Sequence, residues 1–168
     1  FTTSSSNASA KTFTGSGSLS LSDTGTITAT TLISIDNNSS IPVNASNISQ
    51  LSGNATDIYS VITAAGITTA TNYNVTVNDN PTLTQLVSIN SDTTGSITLN
   101  ATTDNLTGSV SDLLAAFSGT ITTYSGNLIV TDTSANATDL TTLFNATSGD
   151  INASNVVTLS GTFNEINS

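Results

Sequence analysis

The sequence predicts a mainly β fold, a β-solenoid with about 27 residues per coil and one short capped helix in each coil. A pattern of a small polar residue, two spacers, a carboxylate or amide and an aliphatic residue recurs five times. Its aliphatic members follow one another at nearly equal intervals, at Ile58, Leu86, Leu113, Leu140 and Ile166. Thr, Ser and Asn supply 34, 27 and 20 of the 168 residues. Such side chains suit turns and strand ladders better than charged helical surfaces.

The chain divides into three predicted parts. Residues 1–12 lack hydrophobic periodicity, and we expect a flexible or extended N-terminal arm. Residues 13–35 alternate apolar and polar positions, including the stretch from Leu32 to Ile35, and are interpreted as β-strands that form a possible docking element. Residues 36–168 carry the repeat and form the predicted solenoid.

Each copy of the pattern has the form of a helix N-cap with a residue three positions later that can bond back to it. The predicted structural caps are Asn54, Thr82, Ser109, Asn136 and Thr162. Apolar residues follow at helical spacing, and glycines follow the first four sets, as expected where a helix ends: Gly66, Gly95, Gly119 and Gly149. The fifth copy stops at Ser168, which predicts an open end that docks onto another subunit or continues in further repeats.

Alternate coils resemble each other more than neighbouring coils do. The stretch from Val43 to Gly53 reads VNASNISQLSG, and the stretch from Ile151 to Gly161 reads INASNVVTLSG. Residues 99–108 form a looser middle copy. These matches indicate a two-coil unit of roughly 54 residues that derives from a duplicated pair.

Composition excludes several functions. One Lys against eleven acidic residues gives a net charge of −10, so the clustered cations that bind nucleic acid are missing. Cys, Met, Trp and His are absent, which excludes thiolate and imidazole metal sites, disulfides and Ser-His or Cys nucleophiles. The sequence has no apolar run long enough for a transmembrane helix, and we expect no membrane insertion.

Two kinds of surface site are candidates. Twelve Asn residues stand in acceptor sequons, and the glycosylation candidates are Asn44, Asn100, Asn145 and Asn152. Oxygen-rich turns around Asp36, Asp79 and Asp104 are weak Ca²⁺ candidates, because Ca²⁺ takes six to eight oxygen ligands. No stretch matches a calcium-loop pattern, and Asx turns account for these residues equally well. We therefore predict no metal and no other cofactor.

The sequence does not predict an enzyme. The repeat aligns Asp57, Asp112 and Asp139, and a carboxylate pair can hydrolyse glycosides. The equivalent position in another coil is Gln85, however, so these residues are better interpreted as helix-start residues.

Several segments carry a resemblance to a known group of repeats: Gly53 to Ile58, Ile62 to Ile67, Ile129 to Asp132, Asp139 to Leu143, and Val157 to Thr162. Between Ile33 and Ile166 the chain resembles the repeats of giant secreted or surface proteins of cyanobacteria and of fibre proteins of their phages. The resemblance implies a surface location and a structural role. The chain has Asn at 44, 136 and 152, where acidic residues are common in that group.

Taken together, these observations predict a structural subunit of an extracellular surface filament or giant cell-surface adhesin. Copies of the chain would assemble head to tail, through solenoid ends or strand addition. The alternative is a phage tail-fibre or carbohydrate-binding recognition module, with glycans as partners. Continuous fibres would favour the first, and a monodisperse protein that binds a glycan the second.

Overall fold

The computed structural model describes residues 1–166, and there it is an α/β protein. The prediction of a mainly β solenoid was wrong, because helices make up 32% of the chain and strands 27%. The seven helices of the described residues are α1 (Ser5–Ala8), α2 (Ala29–Asn37), α3 (Ala55–Thr63), α4 (Leu83–Asp92), α5 (Val110–Ala116), α6 (Ala137–Ala146) and α7 (Phe163–Ile166).

Thirteen short strands are found in the same residues: β1 (Thr2–Thr3), β2 (Leu19–Leu21), β3 (Thr26–Thr28), β4 (Val43–Ala45), β5 (Gln50–Gly53), β6 (Ile67–Thr69), β7 (Asn74–Val77), β8 (Ile97–Leu99), β9 (Leu106–Gly108), β10 (Leu128–Val130), β11 (Ser134–Asn136), β12 (Ile151–Asn152) and β13 (Thr158–Ser160). We number the coils 0 to 6 in chain order. Coil 0 holds β1 and α1, and each of coils 1 to 6 holds two strands and the helix after them.

Successive coils stack through parallel strand pairs and helix contacts. Leu19 of β2 lies opposite Val43 of β4, which lies opposite Ile67 of β6. The strand orders are β1-β2-β4-β6, β3-β5-β7-β8, β9-β10-β12 and β11-β13. Each helix packs on the helix of the next coil, from α1 through α7. The apolar side chains of coils 0 to 5 meet in one continuous core, against which Ile151, Ala153 and Val156 of coil 6 pack.

The repeat length differs between helices and strands. The starts of α2 to α7 follow one another at nearly the interval that the sequence pattern predicts. Paired strand positions follow at a shorter interval, as from Thr26 to Gln50 and from Val75 to Ile97. The strands therefore shift along the coil relative to the helices. At coil 4 this shift places β8, a first strand, beside β7, a second strand.

Helix α2 corrects the strand that was predicted from Leu32 to Ile35. Leu32 and Ile35 are both buried, and their i, i+3 spacing places them on the same face of the helix. The Thr28 side chain accepts a hydrogen bond from the Thr31 N–H and caps the helix. The sequence pattern did not reveal this helical spacing, because the aliphatic Ile33 beside Leu32 makes the stretch resemble a strand.

Residues 1–12, expected to be a flexible or extended arm, contain β1 and α1. Strand β1 pairs with β2, and Ala8 of α1 is fully buried. In the region 13–35, β2 and β3 are strands, as predicted there. Among residues 1–166, no helix is long and apolar enough to cross a membrane.

Candidate interaction surface at the ends of the stack

The last described coil exposes an apolar sequence that is buried elsewhere in the molecule. Leu51 in coil 2 is 0% exposed, whereas Leu159, at the matching place in coil 6, is 42% exposed. Leu51 is covered on one side by Ile27 and on the other by Val75. Leu159 has Ala135 on one side. The same local sequence thus makes an internal interface in coil 2 and an open surface in coil 6.

Further apolar side chains extend this surface. Val157 is 83% exposed and occupies the position of the polar Ser49 in coil 2. Ile166 of α7 is 49% exposed. We call Val157, Leu159 and Ile166 the apolar end. Exposed apolar clusters of this kind mark interaction sites on soluble proteins.

A groove lies in the same last two coils. It has a volume of about 570 Å³ and is lined by Leu140, Thr141, Phe144, Asn145 and Ile151. Phe144 is 63% exposed there. The groove is open to solvent, and it adds apolar surface in coils 5 and 6.

Strand edges are also open at both ends of the stack. In the described part of the chain, β12 and β13 each pair on one side only, and so does β3 near the N-terminus. Coil 0 covers the edge of β2 with β1 but supplies no strand beside β3. Open strand edges of this kind can accept further strands.

Carboxylates cap helices across the coil boundary, and this happens at every second boundary. Three backbone N–H groups at helix starts donate to an Asp of the following coil: Ser5 to Asp23 at 2.6 Å, Ala55 to Asp79 at 2.7 Å, and Val110 to Asp132 at 2.6 Å. An acceptor with negative charge is favourable at a helix N-terminus.

At the intervening boundaries a glycine stands close to the helix start. Gly53 lies against Ala29, Gly108 against Leu83, and Gly161 against Ala137, leaving little or no room for a Cβ atom. Coils 1, 3 and 5 therefore carry the Asp, and coils 2, 4 and 6 carry the Gly. This alternation gives the two-coil unit a physical basis that sequence reasoning missed. The available signal was the nearly even spacing of Asp23, Asp79 and Asp132 along the chain, which is close to the length of the two-coil unit.

The residues predicted as structural caps precede the helices but do not act alike. Thr82 forms a capping box with Gln85, and Ser109 accepts from the Asp112 N–H. Asn136 accepts from the Thr138 N–H. Asn54 makes no side-chain bond to its helix, where Asp79 of the next coil caps instead.

The predicted cap Thr162 exchanges bonds with Glu165. The Thr162 N–H donates to the Glu165 carboxylate at 2.6 Å, and the Thr138 hydroxyl donates to the same carboxylate at 3.1 Å. These bonds, led by that of the Thr162 backbone, lower the pKa of Glu165. They tie α7 to α6.

The glycosylation candidates occupy different environments. Asn145 and Asn152 are exposed, and Asn152 accepts from the Ser154 N–H with its side-chain oxygen. Asn44 makes the same bond to Ser46 but is half-buried. Asn100 is exposed and donates its amide to Asn78. The nitrogen that would carry a sugar is thus engaged in Asn100.

The weak calcium candidates and the aligned carboxylates lie at positions where they contact other parts of the chain or begin a helix. The described residues contain no group of three or more acidic side chains that could hold a metal ion. Asp79 caps Ala55, and the backbone oxygen of Asp104 accepts from the Tyr124 hydroxyl at 2.8 Å. Asp36 lies beside Gly66. Each of the three aligned carboxylates lies in the first turn of its helix: Asp57 in α3, Asp112 in α5 and Asp139 in α6.

Two buried tyrosines bond to distant parts of the chain through their hydroxyls. The Tyr73 hydroxyl donates to Asp92 at 2.5 Å. Burial, reinforced by Asp92, raises the pKa of Tyr73 above its ordinary range. Burial and the nearby Asp104 charge raise the pKa of Tyr124 to about 12. Both phenols are therefore held neutral.

The described residues form a repetitive α/β protein of stacked parallel coils. The last described coil has an exposed apolar surface, and coil 0, on the opposite side of the stack, has only a short strand and a short helix. No protein-family model, curated protein or solved structure matches the chain. The resemblance to cyanobacterial surface repeats and phage fibres stays a prediction.

Proposed function

We propose that this chain is a structural building block of an extracellular surface filament or giant adhesin, in which copies associate through the ends of the coil stack. The observation that carries the proposal is the contrast between Leu51 and Leu159, since one local sequence is sealed in coil 2 and open in coil 6. The open copy is suited to contact another coil.

The two ends of the described stack differ, so the proposed contact joins two unlike surfaces. The apolar end lies in coil 6, and the opposite end carries β1 and the small polar residues of α1. A contact between two different surfaces repeats without closing and yields a fibre unless rotation forms a ring. The acidic surface supports the proposal, because net charge keeps such a polymer soluble.

The interior supports a mechanical rather than catalytic role. Small polar side chains bridge the coils, as where Gln50 accepts from Thr26 at 3.0 Å and donates to Thr76 at 2.6 Å. No buried side-chain nitrogen or oxygen in the described residues lacks a hydrogen-bond partner. A satisfied polar network of this kind makes the stack rigid.

Sedimentation velocity over a concentration series tests the proposal. We expect the native chain to form larger species as concentration rises. Leu159→Ser removes apolar surface from the end, and we expect it to shift half-assembly to an at least tenfold higher concentration. Val87→Ser, a change at a half-buried residue in the middle of the stack, is the control. A monodisperse chain that binds a glycan would favour the recognition module instead.

A further inference from the structure

A hollow lies between helices α5 and α6, away from both ends of the described stack. Its volume is about 390 Å³, and all its lining residues lie between Leu114 and Ala146. We call this space, which is bounded by α5, the segment 117–123 and α6, the α5–α6 groove. Because these residues belong to coils 4 and 5, the groove does not depend on where the described stack begins or ends.

Unequal helix lengths create the groove. Helix α5 has 7 residues, whereas α4 and α6 have 10 each. The chain leaves α5 after Ala116 and turns at Gly119, whose φ is +82°. The last residues of α6, including Asn145, therefore have no helical turn of α5 beside them.

The corresponding space on the α4 side is closed by an amide. Asn90 of α4 donates to the Ala115 carbonyl at 2.8 Å and also to the Ser118 hydroxyl. These bonds tie the end of α5 to α4. The α5–α6 groove is thus a feature of one side of α5 and not of every helix pair.

The floor of the groove is apolar and includes a supported aromatic ring. Phe117 lies with its ring centroid 5.7 Å from that of Tyr124, at an interplanar angle of 59°. Tyr124 is fully buried and donates its hydroxyl to the Asp104 carbonyl at 2.8 Å. Leu143, also fully buried, continues the floor. A ring fixed in this way can pack against the apolar face of a ligand.

The rim of the groove carries hydroxyl and amide groups that can bind a ligand. Thr123 and Asn145 are exposed, and neither side chain has a hydrogen-bond partner within residues 1–166. The Thr142 hydroxyl donates to the Thr138 carbonyl at 3.0 Å, which leaves its oxygen able to accept. Together these groups offer both donors and acceptors above an apolar floor.

The charge of the groove narrows the class of ligand. No charged residue lines it, whereas a second hollow beyond Leu114 contains the carboxylates of Asp132 and Asp139. The net charge of −10 disfavours anions, and the groove has no carboxylate for a cation. A wholly apolar ligand would leave the rim groups unpaired.

We propose that the α5–α6 groove binds a neutral saccharide unit. A sugar ring has a face of C–H groups, which packs on Phe117, and hydroxyls that donate and accept, which bond to Thr123 and Asn145. The volume is within the range of small-molecule sites, about 300–1,000 Å³. This inference goes beyond the proposed structural function, since each copy in a filament would add one sugar contact and weak contacts would sum along it.

Nuclear magnetic resonance titration of the ¹⁵N-labelled native chain tests the site. The probes are five neutral disaccharides: lactose, maltose, cellobiose, mannobiose and chitobiose. We expect at least one to shift the amide signals of residues 117–123 and of Asn145, with a millimolar dissociation constant. Absence of shifts there with all five sugars would overturn the inference.

Variants at the rim and floor locate the binding groups. Thr123→Val and Asn145→Ala each remove one bonding group, and we expect each to weaken binding about fivefold. Thr142→Trp places a large side chain at the rim and should abolish binding. Thr68→Val, the same change at an exposed position on β6, is the control. Equal weakening by Thr123→Val and Thr68→Val, with unchanged urea denaturation midpoints, would contradict the site.

Two further comparisons test the ligand class and separate this inference from the proposed function. Glucuronate should bind more weakly than glucose, and equal or tighter binding would contradict a groove for neutral sugars. Thr142→Trp should leave assembly unchanged, and Leu159→Ser should leave sugar binding unchanged. Assembly without sugar binding would overturn only this inference, and sugar binding without assembly would overturn only the structural function.

Discussion

At the residue scale, close backbone contact between coils explains the small side chains. Thr147 donates to the Tyr124 and Gly126 carbonyls at 3.2 and 2.7 Å and accepts from the Gly149 N–H at 2.9 Å. Thr93 holds the equivalent place two coils earlier and bonds in the same way to Tyr73 and Gly95. Short hydroxyl side chains and glycines are therefore required where one coil contacts the next.

Gly95→Ala tests this contact. A Cβ atom at this position would overlap with the Tyr73 carbonyl oxygen, so the backbones of two coils would have to separate. We expect unfolding free energy to fall by about 3 kcal/mol. Gly25→Ala is the control, since that site has no heavy atom within 4 Å. Equal denaturation midpoints for the two variants would contradict the account.

The buried phenols predict a loss of stability in alkali. Tyr124 ionises near pH 10 when the chain is unfolded and near pH 12 in the folded protein. The folded pKa is the higher one, so its contribution to stability is intact below pH 10 and is lost as pH rises from 10 to 12. Urea denaturation across this range should show the decline, with a shallower slope for Tyr124→Phe. A Tyr59→Phe control with the same shallow slope would refute the assignment.

At the element scale, alternation of Asp and Gly at the coil boundaries defines the two-coil unit. Coils 1, 3 and 5 cap the preceding helix with a carboxylate, and coils 2, 4 and 6 approach it with a glycine. A unit that alternates in this way selects which coils can be neighbours. Because an odd-numbered coil follows every even-numbered coil in the described stack, the neighbour expected on the far side of coil 6 is a coil of the odd-numbered kind.

Asp79→Ala tests the carboxylate caps. Loss of the acceptor leaves the Ala55 N–H at the start of α3 without its partner, and we expect a loss of about 1–2 kcal/mol in unfolding free energy. Asn54→Ala is the informative comparison, because Asn54 is the N-cap residue yet makes no bond to the helix. It should cost less than about 0.5 kcal/mol. A larger loss of unfolding free energy for Asn54→Ala than for Asp79→Ala would contradict the assignment of the cap to Asp79.

The sequence predicts those elements whose signals are local. The starts of α3 to α6 follow from their cap residues and from apolar spacing, as in Thr82 with Gln85. The mainly β class failed because each of the predicted helices α3 to α6 takes up more residues than the two strands of its coil, and because α2 was mistaken for a strand. The shift of β8 to β7 was also out of reach, since it arises from a mismatch between helix and strand intervals that only the packed coils display.

The candidate surface was predictable only in part. An open end was expected from the interrupted fifth pattern. The apolar character of Val157 and the bond from Ser5 to Asp23 could not be assigned, because their meaning depends on which coils are neighbours. Coils 2 and 6 have closely matched local sequences, and they differ in how deeply the matching side chains are buried.

At the scale of the whole molecule, a net charge of −10 opposes association between copies, whereas the apolar end favours it. Like-charged copies repel each other at low salt, and salt screens that repulsion. In the proposed assembly, the balance between these terms would set the concentration at which copies join.

Assembly should therefore strengthen with salt. Raising ionic strength from about 0.1 M to about 1 M shortens the screening length from about 10 Å to about 3 Å. We expect larger species by light scattering at fixed protein concentration. Leu159→Ser, measured in the same series, should show a smaller rise. Dissociation at high salt would indicate that ion pairs hold the copies together and would contradict an apolar contact.

Electron microscopy of the concentrated native chain, beside Leu159→Ser, tests the structural role most directly. End-to-end stacking predicts unbranched fibres of uniform width for the native chain and separate short particles for the variant. Separate particles in both samples, at every concentration and salt condition, would contradict it.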